Sequence, residues 1–238
     1  MKNDETTTWY DRYVQGMSTP KRSKRLNLVR DYDGIGDGKT LQTFNMLNAL
    51  RDANEWNQLY PEKNGVELIV PYVESDDSKT NDDVVKEERN IYLMAPFNLT
   101  SKLTLTIERG VTLKATDDPS LWPIVPPLIS YGQGRDHMGP RRVPFIGGID
   151  LYDVTIRGPG TIDGNGFDWW KRHLEKTENV TRGRLIEFLY ADGVLIEDIL
   201  LINSPFWTVH PVYSSNIIAR RLTIRNPNDA PNTDGTYI

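Results

Sequence analysis

Two neighbouring segments of the chain superimpose when one is shifted by 23 residues. The shift lays Val194 on Ile217, and it also lays Leu201 on Ile224. In both segments apolar residues recur at every second position, which is the spacing of a β-strand rather than a helix. A repeat this short cannot bury its own apolar face, so it gains a core only by stacking on its neighbours. The repeat therefore predicts a solenoid built from strands.

The same pattern extends upstream, where Val154 and Ile156 stand 40 residues before their counterparts. About three short strands per repeat predict an all-β fold, a right-handed parallel β-helix. Asn203 over Asn226 would then form a ladder of side-chain amides between coils. A Greek-key sandwich is the alternative, although no Asn-Gly hairpin turn separates the repeats. Strands are predicted at 92–94, 103–107, 111–113, 154–156, 185–188, 194–196, 199–202 and 222–224.

The part of the chain before residue 91 has a different character. Phe44, Leu47 and Leu50 recur at helical spacing and predict an amphipathic capping helix over 41–56. Residues 66–70 are predicted to form a strand, and the charged stretch 74–90 is predicted to be a surface loop.

The ends of the predicted domain are set by polarity. Residues 1–26 are polar and carry a basic cluster that includes Lys21 and Arg22, so they are predicted to be a solvated N-terminal arm. The β-helix domain is assigned to 27–238 and is expected to be incomplete at its C-terminal end.

The composition excludes several kinds of functional site and binding partner. The chain has no cysteine, which excludes disulfides, thiol catalysis and cysteine-based metal sites. A net charge of −5 argues against a nucleic-acid partner, and no apolar run approaches the length of a membrane span. The first residues lack the apolar segment of a secretory signal.

The tetrapeptide Asn232-Thr-Asp-Gly235 contains the main candidate catalytic residue of the chain. Such residues cluster in ordinary turns, so the motif alone means little. It follows the last of three look-alike strand segments, however, and on a repeating scaffold the carboxylate becomes a candidate acid or base.

Several motifs, in this order, resemble the polygalacturonases of glycoside hydrolase family 28. They are Gly160-Thr-Ile-Asp-Gly-Asn-Gly166 with Trp169-Trp170, then Asn203-Ser-Pro-Phe-Trp207, and finally Asn232-Thr-Asp-Gly235. Tyr131-Gly-Gln-Gly-Arg135 resembles a loop of plant-type and exo-acting members. The segment 27–40 resembles the N-terminal cap of pectin-degrading β-helix enzymes, a pectin-lyase-like solenoid.

The resemblance implies a role for each matching residue. Asp234 would be catalytic, holding the water that attacks the anomeric carbon with inversion, and Asn232 would shape that site. Arg135, Arg141 and Arg142 are candidate ligands for a uronate carboxylate. No metal or other cofactor is expected. The family's Asp-Asp pair, Gly-His-Gly histidine and Arg-x-Lys pair have no match here, so the 238-residue chain by itself is expected to hydrolyse little.

Other prominent residues have structural interpretations. Asp163 is predicted to close a turn, Trp169 and Trp170 to pack a coil corner, and His210 to be a turn or core residue.

The function that the resemblance implies is hydrolysis of α-1,4 galacturonosyl bonds in pectic polysaccharide, by an extracellular protein that is a monomer when complete. Three alternatives stay open. They are a rhamnogalacturonan hydrolase, a calcium-dependent pectate lyase on the same fold, and a β-helix that binds carbohydrate without cleaving it.

Overall fold

The computed structural model of the chain describes residues 19–74, 89–129 and 139–236. They form a parallel β-helix, as the repeat predicts, in the right-handed sense that parallel crossovers take. The strands are β1 (Lys24–Asn27), β2 (Asp37–Leu41), β3 (Val66–Val70), β4 (Ile91–Met94), β5 (Phe97–Asn98), β6 (Leu103–Ile107), β7 (Thr112–Ala115), β8 (Ile124–Val125), β9 (Arg141–Arg142), β10 (Ile146–Ile149), β11 (Tyr152–Arg157), β12 (Thr161–Asp163), β13 (Ile186–Leu189), β14 (Asp192–Glu197), β15 (Leu200–Ile202), β16 (Val209–Val212), β17 (Ser215–Arg220) and β18 (Thr223–Arg225). The α-helices are α1 (Thr43–Leu59) and α2 (Phe167–Leu174), and a 3-10 turn spans Pro119–Leu121.

Three parallel sheets make the walls of the β-helix. Sheet A has the order β1-β3-β6-β11-β14-β17, sheet B the order β18-β15-β12-β7-β4-β2, and sheet C the order β16-β13-β10-β5. Each complete coil runs through sheet C, then sheet A, then sheet B. The register predicted from the repeat is confirmed, because Val194 pairs with Ile217 and Leu201 pairs with Ile224.

The interior consists of columns of apolar side chains at equivalent positions of successive coils. One column in sheet A stacks Val66, Leu103, Val154, Val194 and Ile217, of which the first four are at most 1% exposed. The alternate residues of each strand point outward. Inward apolar positions therefore recur at the coil spacing, which is the reason that the repeat is visible in the sequence.

The corners between sheets contain residues with left-handed backbone conformation at matching positions. Between sheets C and A these are Asp150, Tyr190 and Tyr213, with φ of 55°, 55° and 53°. Between sheets A and B they include Asp198 and Arg221, with φ of 55° and 53°. Such a φ is uncommon outside glycine, and stacked hydrogen bonds from neighbouring coils hold it here. The corners therefore turn at the same place in every coil.

Two long insertions occupy the corner between sheets B and C. The insertion 116–145 contains the antiparallel pair β8–β9, and the insertion 164–185 contains α2. They pack on each other through Trp122 and Trp169, whose rings meet edge to face at 5.1 Å. Trp169 and Trp170 are both buried, which confirms that the tryptophan pair packs a coil corner. The first insertion reaches the outer face of sheet C through Arg141, which contacts Glu187.

Helix α1 caps the interior, as predicted, but with a different face. Its buried residues are Met46, Ala49, Leu50 and Ala53. Phe44, used to predict the helix, is 74% exposed, and Leu47 is 47% exposed. The two alanines lie against the core without a bulky side chain, so the helix can approach the first coil closely. Helical spacing alone could not distinguish this face from the neighbouring one.

The prediction of a solvated arm over 1–26 is wrong for its described end. Lys24–Asn27 is a strand paired with β3, and the side chain of Arg22 is 1% exposed. Residues 1–18 lie outside the described residues.

The amide ladder between Asn203 and Asn226 does not form. The Asn203 side chain donates to Asp163 Oδ1 at 3.0 Å, and the Asn226 side chain donates to the Thr233 carbonyl at 2.9 Å. Each amide finds a nearer oxygen than its counterpart, because the chain leaves sheet B at this point.

Most of the predicted surface loop over 74–90, namely residues 75–88, lies outside the described residues. Within the described ranges, no helix has both the length and the apolar character needed to cross a membrane.

Candidate active site

Asp234 and Asn232 lie in the loop that leads from sheet B back to the edge of sheet C. Thr236 pairs in parallel with Val209 of β16, and the Thr208 amide donates to the Asp234 carbonyl at 2.9 Å. Both Asn232 and Asp234 are exposed. The Asp234 residue is therefore exposed to solvent two positions before the bridge from Thr236 to the edge strand of sheet C.

The side chains of Asn226 and Arg182 hold this loop in place. Asn226 accepts a hydrogen bond from the Ser204 amide through Oδ1 at 2.9 Å and donates to the Thr233 carbonyl. The guanidinium of Arg182, which is fully buried, donates to the Pro231 carbonyl at 3.2 Å. These contacts fix the backbone on either side of Asn232, so the position of Asp234 is set by the scaffold.

The outer face of sheet C carries a register of side chains that leads towards this loop. Asn98 pairs with Gly147, Gly147 with Glu187, and Glu187 with His210. Along this register the first two positions offer an amide and a bare backbone, and the next two offer ionisable groups. The sequence analysis did not assign Glu187 a role.

Glu187 is the centre of a buried ionic cluster. Its Oε1 accepts from Arg141 Nη1, and its Oε2 lies 2.8 Å from His210 Nδ1 and 3.3 Å from Arg184 Nε. The four side chains are between 0% and 7% exposed. Arg184 also stacks its guanidinium over the Trp207 ring at 5.3 Å. A buried carboxylate with several cationic partners is held ionised.

The pKa values of the cluster follow from this arrangement. Burial by itself would raise the pKa of Glu187, but the hydrogen bond from His210 and the charges of Arg184 and Arg141 outweigh it, so the pKa is lowered. Burial lowers the pKa of His210, and Arg184 and Arg141 add to this, while Glu187 opposes it without reversing the shift. Glu187 is therefore ionised and His210 is neutral near pH 7.

We expect the free energy of unfolding to decrease as the pH falls from about 7 to about 4. Both pKa values are lower in the folded state, so the unfolded chain takes up protons first. The contribution of His210 is present above the unfolded histidine pKa of about 6.5 and is lost below it, and that of Glu187 is lost further down. Urea unfolding at a series of pH values would measure this.

The variant His210→Gln should lose the upper part of that pH dependence, because glutamine keeps a donor but does not titrate. His173→Gln, on α2, is the matched control and should keep the wild-type profile. A wild-type stability that is constant between pH 7 and pH 4 would contradict the assignment of charges.

Arg142 is predicted as a uronate ligand, and that prediction stays untested. In the structure its guanidinium donates to the carbonyls of Pro119 and Trp122 at 2.8 and 2.9 Å and pairs with Glu178. It also lies over the Trp169 ring, at 5.2 Å. These contacts give Arg142 a role in joining the two insertions. Arg135 lies outside the described residues.

The remaining predicted residues have structural roles. Asp163 accepts from the Asn165 amide at 2.9 Å, which confirms the turn. His210 was predicted to be a turn or core residue. It is buried, at 2% exposed, but it lies in β16 on the outer face of sheet C, where it contacts Glu187. The pairing of His210 with Glu187 had a signal in the sequence, because the two residues are 23 positions apart, at the repeat spacing.

In the ranges 19–74, 89–129 and 139–236, no group of three or more His, Asp or Glu side chains is placed to hold an ion.

The family model and the related sequences indicate the same protein family. The model of the family described as glycosyl hydrolases family 28 matches residues 93–238, more than half of the chain. A probable polygalacturonase of Vitis vinifera is 40% identical over 215 residues, which are 90% of this chain and 39% of the grape protein. An endo-polygalacturonase of Pectobacterium parmentieri is 30% identical over 163 residues, covering 61% of this chain and 38% of its own length.

Solved structures share the fold. An exopolygalacturonase from Thermotoga maritima superimposes with a TM-score of 0.68 at 22% identity, covering 95% of this chain and 52% of the other. A polygalacturonase from Erwinia carotovora gives a TM-score of 0.64 at 21% identity, with 92% and 52% coverage. The chain thus spans about two fifths of the length of the curated relatives and about half of these structures.

Proposed function

The chain belongs to glycosyl hydrolase family 28, and from that membership we propose that the complete protein hydrolyses α-1,4 galacturonosyl bonds in pectic polysaccharide with inversion at the anomeric carbon. The proposal rests most on one observation. Asp234 is exposed two positions before Thr236, which bridges to the edge strand of sheet C, and it lies within the segment that matches the family. A carboxylate in that position can reach a substrate lying along the outer face of the sheet.

Asp234 acts as the base in this proposal. It accepts a proton from a water molecule on the face of the sugar opposite the leaving oxygen, and that water forms the new bond to the anomeric carbon. Asn232, two residues earlier on the same loop, positions the water or the sugar hydroxyls beside it.

Inversion needs a second carboxyl group to protonate the leaving oxygen. The two groups stand about 6.5–9.5 Å apart in inverting glycosidases, which leaves room for the water. Strands of neighbouring coils are about 4.8 Å apart, so a residue placed diagonally from Asp234 on the next coil, or one about two coils beyond it, comes near this separation. We assign the acid to that part of the complete protein, since the relatives are much longer than this chain.

The substrate path follows from the insertions. Residues 125–129 of the first insertion lie against the outer face of sheet C at Leu189 and Tyr190 and form one wall of a groove there. A polysaccharide can lie across successive coils in such a groove. Pectic polysaccharide belongs to the cell wall, so the protein acts outside the cell, as a monomer.

Product analysis tests the proposal. The complete protein, incubated with polygalacturonate, is expected to release new reducing ends without unsaturated, ultraviolet-absorbing products. Proton NMR of the first products should show the anomeric configuration inverted. Unsaturated products, or activity that requires added calcium, would identify a lyase and overturn the proposal, and binding without cleavage would identify a carbohydrate-binding protein.

A further inference from the structure

The backbone of β16 that bonds to the loop of Asp234 is held from both sides. The amides of Thr208 and Val209 donate to the carbonyls of Asp234 and of the residue after it, at 2.9 and 3.1 Å. Trp207 precedes this pair of residues and His210 follows it. The rings of Trp207 and His210 contact each other, with centroids 4.9 Å apart. The backbone that sets the position of Asp234 therefore lies between two side chains that pack together.

Both side chains belong to the ionic cluster on the outer face of sheet C. His210 Nδ1 lies 2.8 Å from Glu187 Oε2. Arg184 Nε lies 3.3 Å from the same carboxylate oxygen, and its guanidinium lies over the Trp207 ring at 5.3 Å. Arg141, from the first insertion, bonds to the other oxygen of Glu187. An unbroken series of contacts thus leads from the first insertion, through the cluster, to the backbone that holds the loop.

A cluster of this kind is a poor source of stability. Moving ionic groups out of water costs free energy that their mutual attraction only partly repays, and apolar side chains of similar volume often stabilise a fold as well or better. The cluster is between 0% and 7% exposed, so it bears that cost. Charge-assisted hydrogen bonds do supply direction, because each fixes its partner at one distance and angle. Next to a reacting group, such a cluster is suited to hold that group in one place.

We propose that Glu187 and His210 are positioning residues for Asp234. Glu187 holds the His210 ring, and His210 in turn fixes the Thr208–Val209 backbone to which the loop is bonded. Arg141 fixes Glu187 from the side of the first insertion, which gives it a positioning role in place of the contact with a uronate predicted from the sequence. The inference rests on the proposed function, because it takes Asp234 to be the base.

The effect on catalysis is expected in kcat rather than in KM. A misplacement of about 1 Å in a reacting group can cost up to about 10²-fold in rate, because the attacking water must stay aligned with the bond that it breaks. His210 is 2% exposed, so it does not touch a substrate in the groove. Loss of its hydrogen bond should therefore slow the chemical step and leave substrate binding nearly unchanged.

The test compares two substitutions of His210 in the complete protein. His210→Phe keeps an aromatic ring against Trp207 but cannot bond to Glu187, so it is expected to lower kcat on polygalacturonate by about tenfold and to change KM by less than about twofold. His210→Gln keeps a donor for Glu187 in a side chain of similar volume, so kcat should stay within about twofold of the wild type. Rescue by the variant that keeps the hydrogen bond separates positioning from simple packing.

Arg22→Ala is the matched control for stability. It removes a buried charged side chain on the outer face of sheet A, away from β16. At a temperature where thermal melts show every variant to be folded, Arg22→Ala should keep wild-type kcat. Wild-type kcat in His210→Phe would overturn the inference. Equal losses in His210→Phe and Arg22→Ala would overturn it too, since they would reflect stability alone.

Hydrogen exchange keeps the test valid should His210→Phe misfold. Arg141→Gln removes the charge that holds Glu187 Oε1, and it is expected to speed exchange of the Thr208 and Val209 amides by about tenfold, or about 1.4 kcal/mol. Mass spectrometry of peptides that cover 206–212 measures this. Lys171→Gln, which makes the same change of charge on α2, should leave the exchange unchanged.

The outcomes separate the inference from the proposed function. Hydrolysis of polygalacturonate by the wild type, with unchanged exchange in Arg141→Gln, would overturn the inference and leave the proposed function standing. Faster exchange in that variant, when the wild type hydrolyses nothing, would support the hold of the cluster on the loop and overturn the function.

Discussion

Replacing Asp234 by asparagine in the complete protein is expected to lower kcat on polygalacturonate by about 10²–10⁴-fold, the usual contribution of a general base. Asparagine has nearly the shape of aspartate but cannot take the proton from the attacking water. The loop should keep its position, since Asn226 and Arg182 hold it through backbone atoms. Initial rates of reducing-end release, with KM determined separately, measure the effect.

The control is Asp229→Asn, which makes the same change of charge five residues earlier on the same exposed loop. It should retain wild-type kcat. Equal activity of the two variants would remove Asp234 from the mechanism, and a loss of thermal stability in Asp234→Asn alone would mean that the residue is structural.

Replacing Arg22 by alanine is expected to lower the free energy of unfolding by about 3 kcal/mol, as when one partner of a buried ion pair is removed. The guanidinium donates to Asp153 Oδ2 at 2.7 Å, to Thr104 Oγ1 at 2.9 Å and to the Leu103 and Asn64 carbonyls at 3.3 Å. It therefore ties together β6, β11 and the turn before β3. Without it the Asp153 carboxylate, which is 17% exposed, loses its charged partner.

Arg25→Ala is the matched comparison, three residues further along. Arg25 pairs with Glu67 at 2.8 Å, but its side chain is 72% exposed, so the expected cost is only about 0–1 kcal/mol. Reversible urea unfolding of the two variants would give both values. Equal effects would show that residues 19–23 do not fasten the outer face of sheet A.

The difference in burial between Arg22 and Arg25 could not be predicted from the sequence. Both belong to one basic cluster, and charge patterning treats them alike. The difference arises because the chain at 19–23 crosses the outside of sheet A, where strands distant in sequence lie under Arg22 and not under Arg25. Nothing local to the cluster records those strands.

The buried face of helix α1 is a second feature that the sequence did not predict. Helical spacing correctly predicted an amphipathic helix but selected Phe44 and Leu47, which are exposed, instead of Met46 and Ala49, which are fully buried. Which face of a helix is buried depends on the shape of the surface that it covers. The end of the β-helix favours small side chains at closest approach.

The sequence by itself determined the stacking of the coils and the motif that carries Asp234. Inward side chains recur at a fixed spacing, and the parallel pairing of Val194 with Ile217 follows that spacing directly. The tertiary structure alone decided what surrounds the groove. The pairing of Glu187 with His210 follows the repeat spacing, but Arg141 joins them only because an insertion of irregular sequence packs on sheet C. Periodicity encodes the pairing of strands, whereas the path of an insertion depends on contacts that have no period.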